Sequence, residues 1–199
     1  AAVSAAQAHI FVGRKQELAW LNQKLARVLS GSGQVVFVTG EAGSGKTVLI
    51  QEFARQALAQ YAGLLVASGK GTAYTGLGDP YAAFREIVSQ LSGDVASRWA
   101  AGTISQIEAL RLWRTLPLTV HTLVHSAPDL IGTFVNGTNL QERATNYVQE
   151  TRVAESSAPW LAQLETLTAH NAATSGAMGT NQNVLFAQVT RLLSALALH

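Results

Sequence analysis

Residues 34–47 read Gln34-Val35-Val36-Phe37-Val38-Thr39-Gly40-Glu41-Ala42-Gly43-Ser44-Gly45-Lys46-Thr47, and this stretch decides the fold expected of the chain. Its first half is a short apolar run rich in β-branched residues, the pattern of a strand buried in a parallel sheet. Its second half, GEAGSGKT, fits the phosphate-binding pattern G-x-x-x-x-G-K-[ST]. Gly40, Gly43 and Gly45 allow backbone conformations and close approaches that a Cβ would block. Glu41, Ala42 and Ser44 fill the variable positions, so that successive amide N–H groups can surround phosphate oxygens. The helix that starts here adds its positive end to the same anion. Lys46 places a compact charge on the outer phosphates, and the Thr47 hydroxyl completes the coordination of a Mg²⁺ ion. Glu41 reads as a solvent-facing residue and not as a base.

Working outward, Val48-Leu49-Ile50, Phe53, Ala54, Ala57 and Leu58 continue as a helix to about Tyr61, where Gly63 stops it. Leu64-Leu65-Val66-Ala67 is a second strand candidate, so that 34–67 reads as a βαβ unit with a right-handed crossover. Upstream, residues 1–10 form a loose lead-in, and Leu18, Leu21, Leu25, Val28 and Leu29 mark an amphipathic helix over 15–29. Downstream, Gly69 to Pro80 is a loop, and Tyr81, Phe84, Ile87, Val88 and Leu91 mark a helix over 80–92. Asp79 caps that helix, with Pro80 at its first position. The region 93–181 is mostly helical with interruptions and reads as an insertion, and a last helix spans 182–198. The expected organisation is therefore a nucleotide-binding core over 11–92, the insertion 93–181 and the terminal helix 182–199.

Composition narrows the classes. The 199 residues are 48% hydrophobic and 13% charged, which excludes a disordered chain and provides for a real core. The net charge is +2 with scattered bases, so no direct nucleic-acid binding is expected. There is no cysteine, which excludes a disulfide scaffold, a thiolate zinc site and a cysteine nucleophile, and fits the cytoplasm. No apolar run is long enough to span a membrane. His121 and His125 stand four apart, but a zincin pattern has Glu where this chain has Thr122, so they read as ordinary helix residues. Asn136-Gly137-Thr138 reads as a turn, and Trp20, Trp99, Trp113 and Trp160 read as packing residues.

Three segments carry a resemblance. FVGRKQEL at 11–18, QVVFVTGEAGSGKT at 34–47 and GDPYAAFREIVSQL at 78–91 resemble P-loop NTPases of the AAA-like, signal-transducing (STAND) type. Such domains form the N-terminal part of large bacterial regulators, among them LuxR-like transcription regulators and proteins fused to cyclase or tetratricopeptide modules. The resemblance implies an α/β fold, a three-layer parallel sheet incomplete at its C-terminal side with a largely helical insertion. It implies ATP or ADP and Mg²⁺ as ligands. It further implies that Val12, Gly13 and Arg14 lie near the adenine. The absence of an N/T-K-x-D pattern favours adenine over guanine.

The chain departs from the family at Walker B, the apolar strand that ends in a metal-holding acid. Its only aspartates are Asp79, Asp94 and Asp129, preceded by TGLG, QLSG and HSAP, none of them an apolar strand. In the family that strand follows a helix like 182–198, and this sequence ends at His199. The expectation is a piece cut before Walker B, with negligible hydrolysis of its own. Its partners would be the nucleotide and C-terminal regions of the same polypeptide, and uncovered sheet edge would promote self-association. The leading reading is an ATP-binding switch in a signalling or transcriptional regulator. The alternatives are a P-loop kinase or other phosphoryl-transfer enzyme, and a helical interaction module with a vestigial loop.

Overall fold

Leu18, Leu21 and Leu25 recur at helical spacing and form the buried stripe of α1 (Lys15–Leu29). The computed structural model describes residues 13–71, 79, 81–152, 158–174 and 182–197. They fall into two compact units, Ala1–Val66 and Ala67–His199.

In the first unit α1 packs on α2 (Lys46–Gln60). Leu18, Leu21 and Leu49 form the buried centre of that contact, with Val36, Val38 and Phe53 closing over it. Along the run 34–39 alternate side chains, Val36 and Val38, face the helices, as a period of two predicts. Val35 and Phe37 point the other way and are 82% and 86% exposed.

The parallel sheet expected from the sequence is not there. Among the described residues the only β pairing is an isolated bridge between Ile131 and Val135, and neither 34–39 nor 64–67 is a strand. The expected βαβ unit and the three-layer α/β fold are both overturned by this helical architecture. The physical reason is that apolar, β-branched sequence specifies an extended backbone and one buried face. A strand also needs a neighbour roughly 4.8 Å away to take its N–H and C=O groups. Only two runs of that kind occur, and parallel sheets are built from several strands covered on both faces.

The second unit is helical. It comprises α3 (Ala82–Leu91), α4 (Ala96–Ala100), α5 (Gln106–Arg114), α6 (Leu116–Ser126), α7 (Leu130–Thr133), α8 (Gly137–Thr151), α9 (Pro159–Thr174) and α10 (Gln182–Ala197). Its centre is α6, which packs against α5, α8, α9 and α10. Leu116, Thr119, Val120, Thr122 and Leu123 are all buried, the mark of a helix enclosed on most of its sides. His121 and His125 occupy the face left to solvent, their ring centroids 4.4 Å apart. Pro117 sits in the first turn, where its missing N–H costs nothing.

Local chemistry sets the boundaries. Ser105 and Glu108 form a capping box on α5, with reciprocal bonds of 3.2 and 2.7 Å. Asn136, expected in a turn, caps α8 by accepting the Asn139 N–H at 3.0 Å. Trp160 is buried and Trp113 packs on the core, whereas Trp20 and Trp99 are exposed, Trp20 beneath the Lys24 ammonium at 4.9 Å.

Residues 67–71 are tied to α3. The Gln90 amide, 1% exposed, donates to the Ser68 carbonyl and accepts the Ser68 N–H at 3.3 Å, matching one residue of backbone as a paired strand would. Lys70 N–H reaches Glu86 Oε2 at 3.3 Å, and Glu86 also holds Arg98 at 3.2 Å. Gly69 makes this possible, because a Cβ there would lie 1.9 Å from the Ala83 carbonyl oxygen. Gly69→Ala is expected to lower stability by up to about 3 kcal/mol, read as a fall in the urea midpoint. Gly71→Ala, with nothing within 4 Å of its Cβ, is expected to change it little.

Candidate functional site

The loop 40–47 is built by backbone geometry. Ser44 N–H turns back to the Glu41 carbonyl at 3.2 Å. Gly43 and Gly45 take left-handed conformations, φ 78° and 81°, which favour glycine. Gly45 is also the N-cap of α2, and the first intrahelical bond runs from Leu49 N–H to its carbonyl at 3.0 Å. The N–H groups of Lys46, Thr47 and Val48 therefore have no acceptor within the helix and stand at its positive end. Gly40 lies close under the loop, since a Cβ there would meet Ser44 Oγ at 3.0 Å.

Lys46 folds over this turn. Its Nζ donates to the Gly40 carbonyl at 2.9 Å and to the Glu41 carbonyl at 2.7 Å. Thr47, the second residue of α2, is exposed, as are Glu41, Ala42 and Gly43. Arg14 comes to the same loop from the start of α1, donating from Nη2 to the Ser44 carbonyl. Gly13 is exposed beside it, and Val12 lies outside the described residues.

These features fit a phosphate chain: Gly40 where a Cβ would crowd Ser44, Gly43 and Gly45 in left-handed conformations, helix-start N–H groups and an ammonium at the same turn. For magnesium the loop offers the Thr47 hydroxyl, with phosphate and water as the other oxygens. Among the described residues no group of three or more His, Asp or Glu could hold a metal ion.

The three aspartates are engaged away from the loop. Asp79 accepts the Tyr81 N–H at 2.9 Å and pairs with Arg85 at 3.1 Å, and that backbone bond, before the arginine, holds its carboxyl below the usual range. The cap expected of it on α3 is not formed: α3 starts at Ala82 with Tyr81 as its N-cap and no side-chain cap. Asp79 stands two residues before that cap and holds the Tyr81 N–H instead, while Pro80 lies outside the described residues. Asp94 accepts from Ser89 Oγ at 2.7 Å, and Asp129 exchanges two hydrogen bonds with the Gln188 amide at 2.8 and 3.0 Å.

Glu52, on α2, is held by Arg55 at 2.6 Å and Gln56 at 2.7 Å. The Arg55 hydrogen bond is the largest cause that lowers its pKa from 4.5 to about 2. A carboxyl lowered on folding stabilises above its unfolded pKa, and that contribution disappears as pH falls from about 4.5 to about 2. Glu52→Gln is expected to cost less than about 1 kcal/mol at neutral pH, the pair being at the surface. The difference from wild type is expected to close by about pH 2 in acid unfolding curves.

A family model described as AAA ATPase domain matches residues 10–199. The chain belongs to the AAA ATPase domain family. No curated protein and no solved structure matches it. Membership makes this AAA ATPase domain a nucleotide-binding module. Among the described residues of the AAA ATPase domain, no helix is long and apolar enough to cross a membrane. Sequence reasoning missed one contact of the site, Arg14 on the Ser44 carbonyl. Periodicity had no means of finding it, because thirty residues separate the partners.

Proposed function

We propose that residues 40–47 bind the triphosphate of ATP and the diphosphate of ADP. In this reading the chain acts as a nucleotide-dependent switch within a larger signalling or transcriptional regulator of the STAND type. The observation that carries the nucleotide reading is the glycine turn 40–45 closing on the N-terminus of α2 with Lys46 Nζ on its carbonyls. The loop N–H groups hold phosphate oxygens, and Lys46 exchanges its carbonyl partners for the anion. Bound Mg²⁺ supplies charge neutralisation between phosphates, with Thr47 as its protein ligand. The engagement of Asp79, Asp94, Asp129 and Glu52 in structural bonds supports slow hydrolysis, and slow hydrolysis suits a switch that is reset rarely. The FVGRKQEL segment supports the regulator class.

The experiment is calorimetric titration of the folded chain with ATP and with ADP in the presence of magnesium. Saturable binding of both is expected, with GTP a weaker competitor. Folded protein that gives no saturable heat with either adenylate overturns the proposal.

A further inference from the structure

We propose that Arg14 is a positioning residue of the phosphate loop, acting through the Ser44–Gly45 peptide and not through the base; the inference rests on the reading that residues 40–47 bind phosphate. The guanidinium donates from Nη2 to the Ser44 carbonyl. A Cβ on Gly45 would stand 4.0 Å from that nitrogen, which places the guanidinium alongside this one peptide. A trans peptide is planar, with its C=O and N–H directed to opposite sides. Holding the Ser44 carbonyl toward Arg14 therefore aims the Gly45 N–H away from it and fixes the direction of one loop donor.

Arg14 is anchored as the N-cap of α1. Its own carbonyl accepts the Leu18 N–H at 3.1 Å, tying it to the first turn of α1. That helix is seated on α2 through Leu18, Leu21 and Leu49, and α2 begins at the loop itself. Packing of the two helices thus sets the reach between Arg14 and Ser44.

This role separates from a base contact by experiment. A residue that shapes the loop acts on any polyphosphate, with or without a nucleoside. Affinities for ATP and for inorganic tripolyphosphate, both with magnesium, are measured by calorimetry on wild type, Arg14→Met and Arg14→Lys. Methionine keeps an unbranched stem without a donor, whereas lysine keeps charge and donor. Arg14→Met is expected to weaken both ligands by the same factor, about tenfold, the worth of a charge-assisted hydrogen bond. Arg14→Lys is expected to recover most of that loss at an unchanged melting temperature, which a general loosening of the fold would not do. Loss of ATP affinity with tripolyphosphate unaffected overturns the proposal in favour of a base contact. Equal affinities in wild type and Arg14→Met, or no recovery with lysine, also overturn it. Wild-type protein that binds neither ligand overturns the phosphate reading itself, a failure distinct from those of Arg14.

Discussion

Lys46→Ala is expected to reduce affinity for ATP and ADP by about 100-fold or more. The lysine is the ammonium that reaches over the glycine turn, on the carbonyls of Gly40 and Glu41 at 2.9 and 2.7 Å. Its stem starts at the first residue of α2, so the charge stands with the helix N-terminus at one anion position. Truncation removes the only full positive charge in the motif and leaves partial charges from N–H groups. Removing one partner of a hydrogen-bonded charge pair costs about 2–5 kcal/mol where water is excluded, and each tenfold in affinity is about 1.4 kcal/mol. The fold should change little, since a half-buried side chain bonded to two loop carbonyls contributes little to the core. Calorimetry checks the affinity and circular dichroism checks the fold. Lys24→Ala, which removes an ammonium from α1 that rests on Trp20, is expected to leave affinity unchanged. Retained binding in Lys46→Ala would remove the support for nucleotide recognition by this loop.

Leu123→Ala is expected to destabilise the second unit by about 3–4 kcal/mol. Leu123 is fully buried on α6, the helix that packs against α5, α8, α9 and α10. Truncation loses the transfer free energy of the removed methyl groups and opens a cavity between helices that already touch on several sides and cannot close over it. Urea unfolding followed by the fluorescence of Trp113 and Trp160, which pack on the same core, should show the midpoint fall. Val124, next in sequence but half-buried, should cost about 1 kcal/mol or less when changed to alanine. Equal losses at the two positions would contradict the central placement of α6.

Much of this molecule was legible from periodicity. The helices expected over 15–29, to about Tyr61, over 80–92 and over 182–198 correspond to α1, α2, α3 and α10 within one or two residues. Leu18, Leu21, Leu49, Val88, Leu185 and Val189 on these stripes are buried as helical spacing predicts, whereas Val28, Leu29, Phe84 and Phe186 are exposed. The loop 40–47 was legible for another reason, since its chemistry is carried by consecutive residues. The strands were not. Val36 and Val38 are half-buried on helices, as alternation requires, yet among the described residues no strand lies beside 34–39.

The sequence alone determined the helices and the phosphate-loop motif, because hydrogen bonds within a helix and the conformations of glycine depend on neighbours three or four residues away. Tertiary structure alone decided that no sheet forms among the described residues, that Arg14 meets the Ser44 carbonyl and that Gln90 reads the backbone of Ser68. Those outcomes depend on which distant group lies within hydrogen-bonding reach, and a local pattern of apolar and polar residues does not encode that partner.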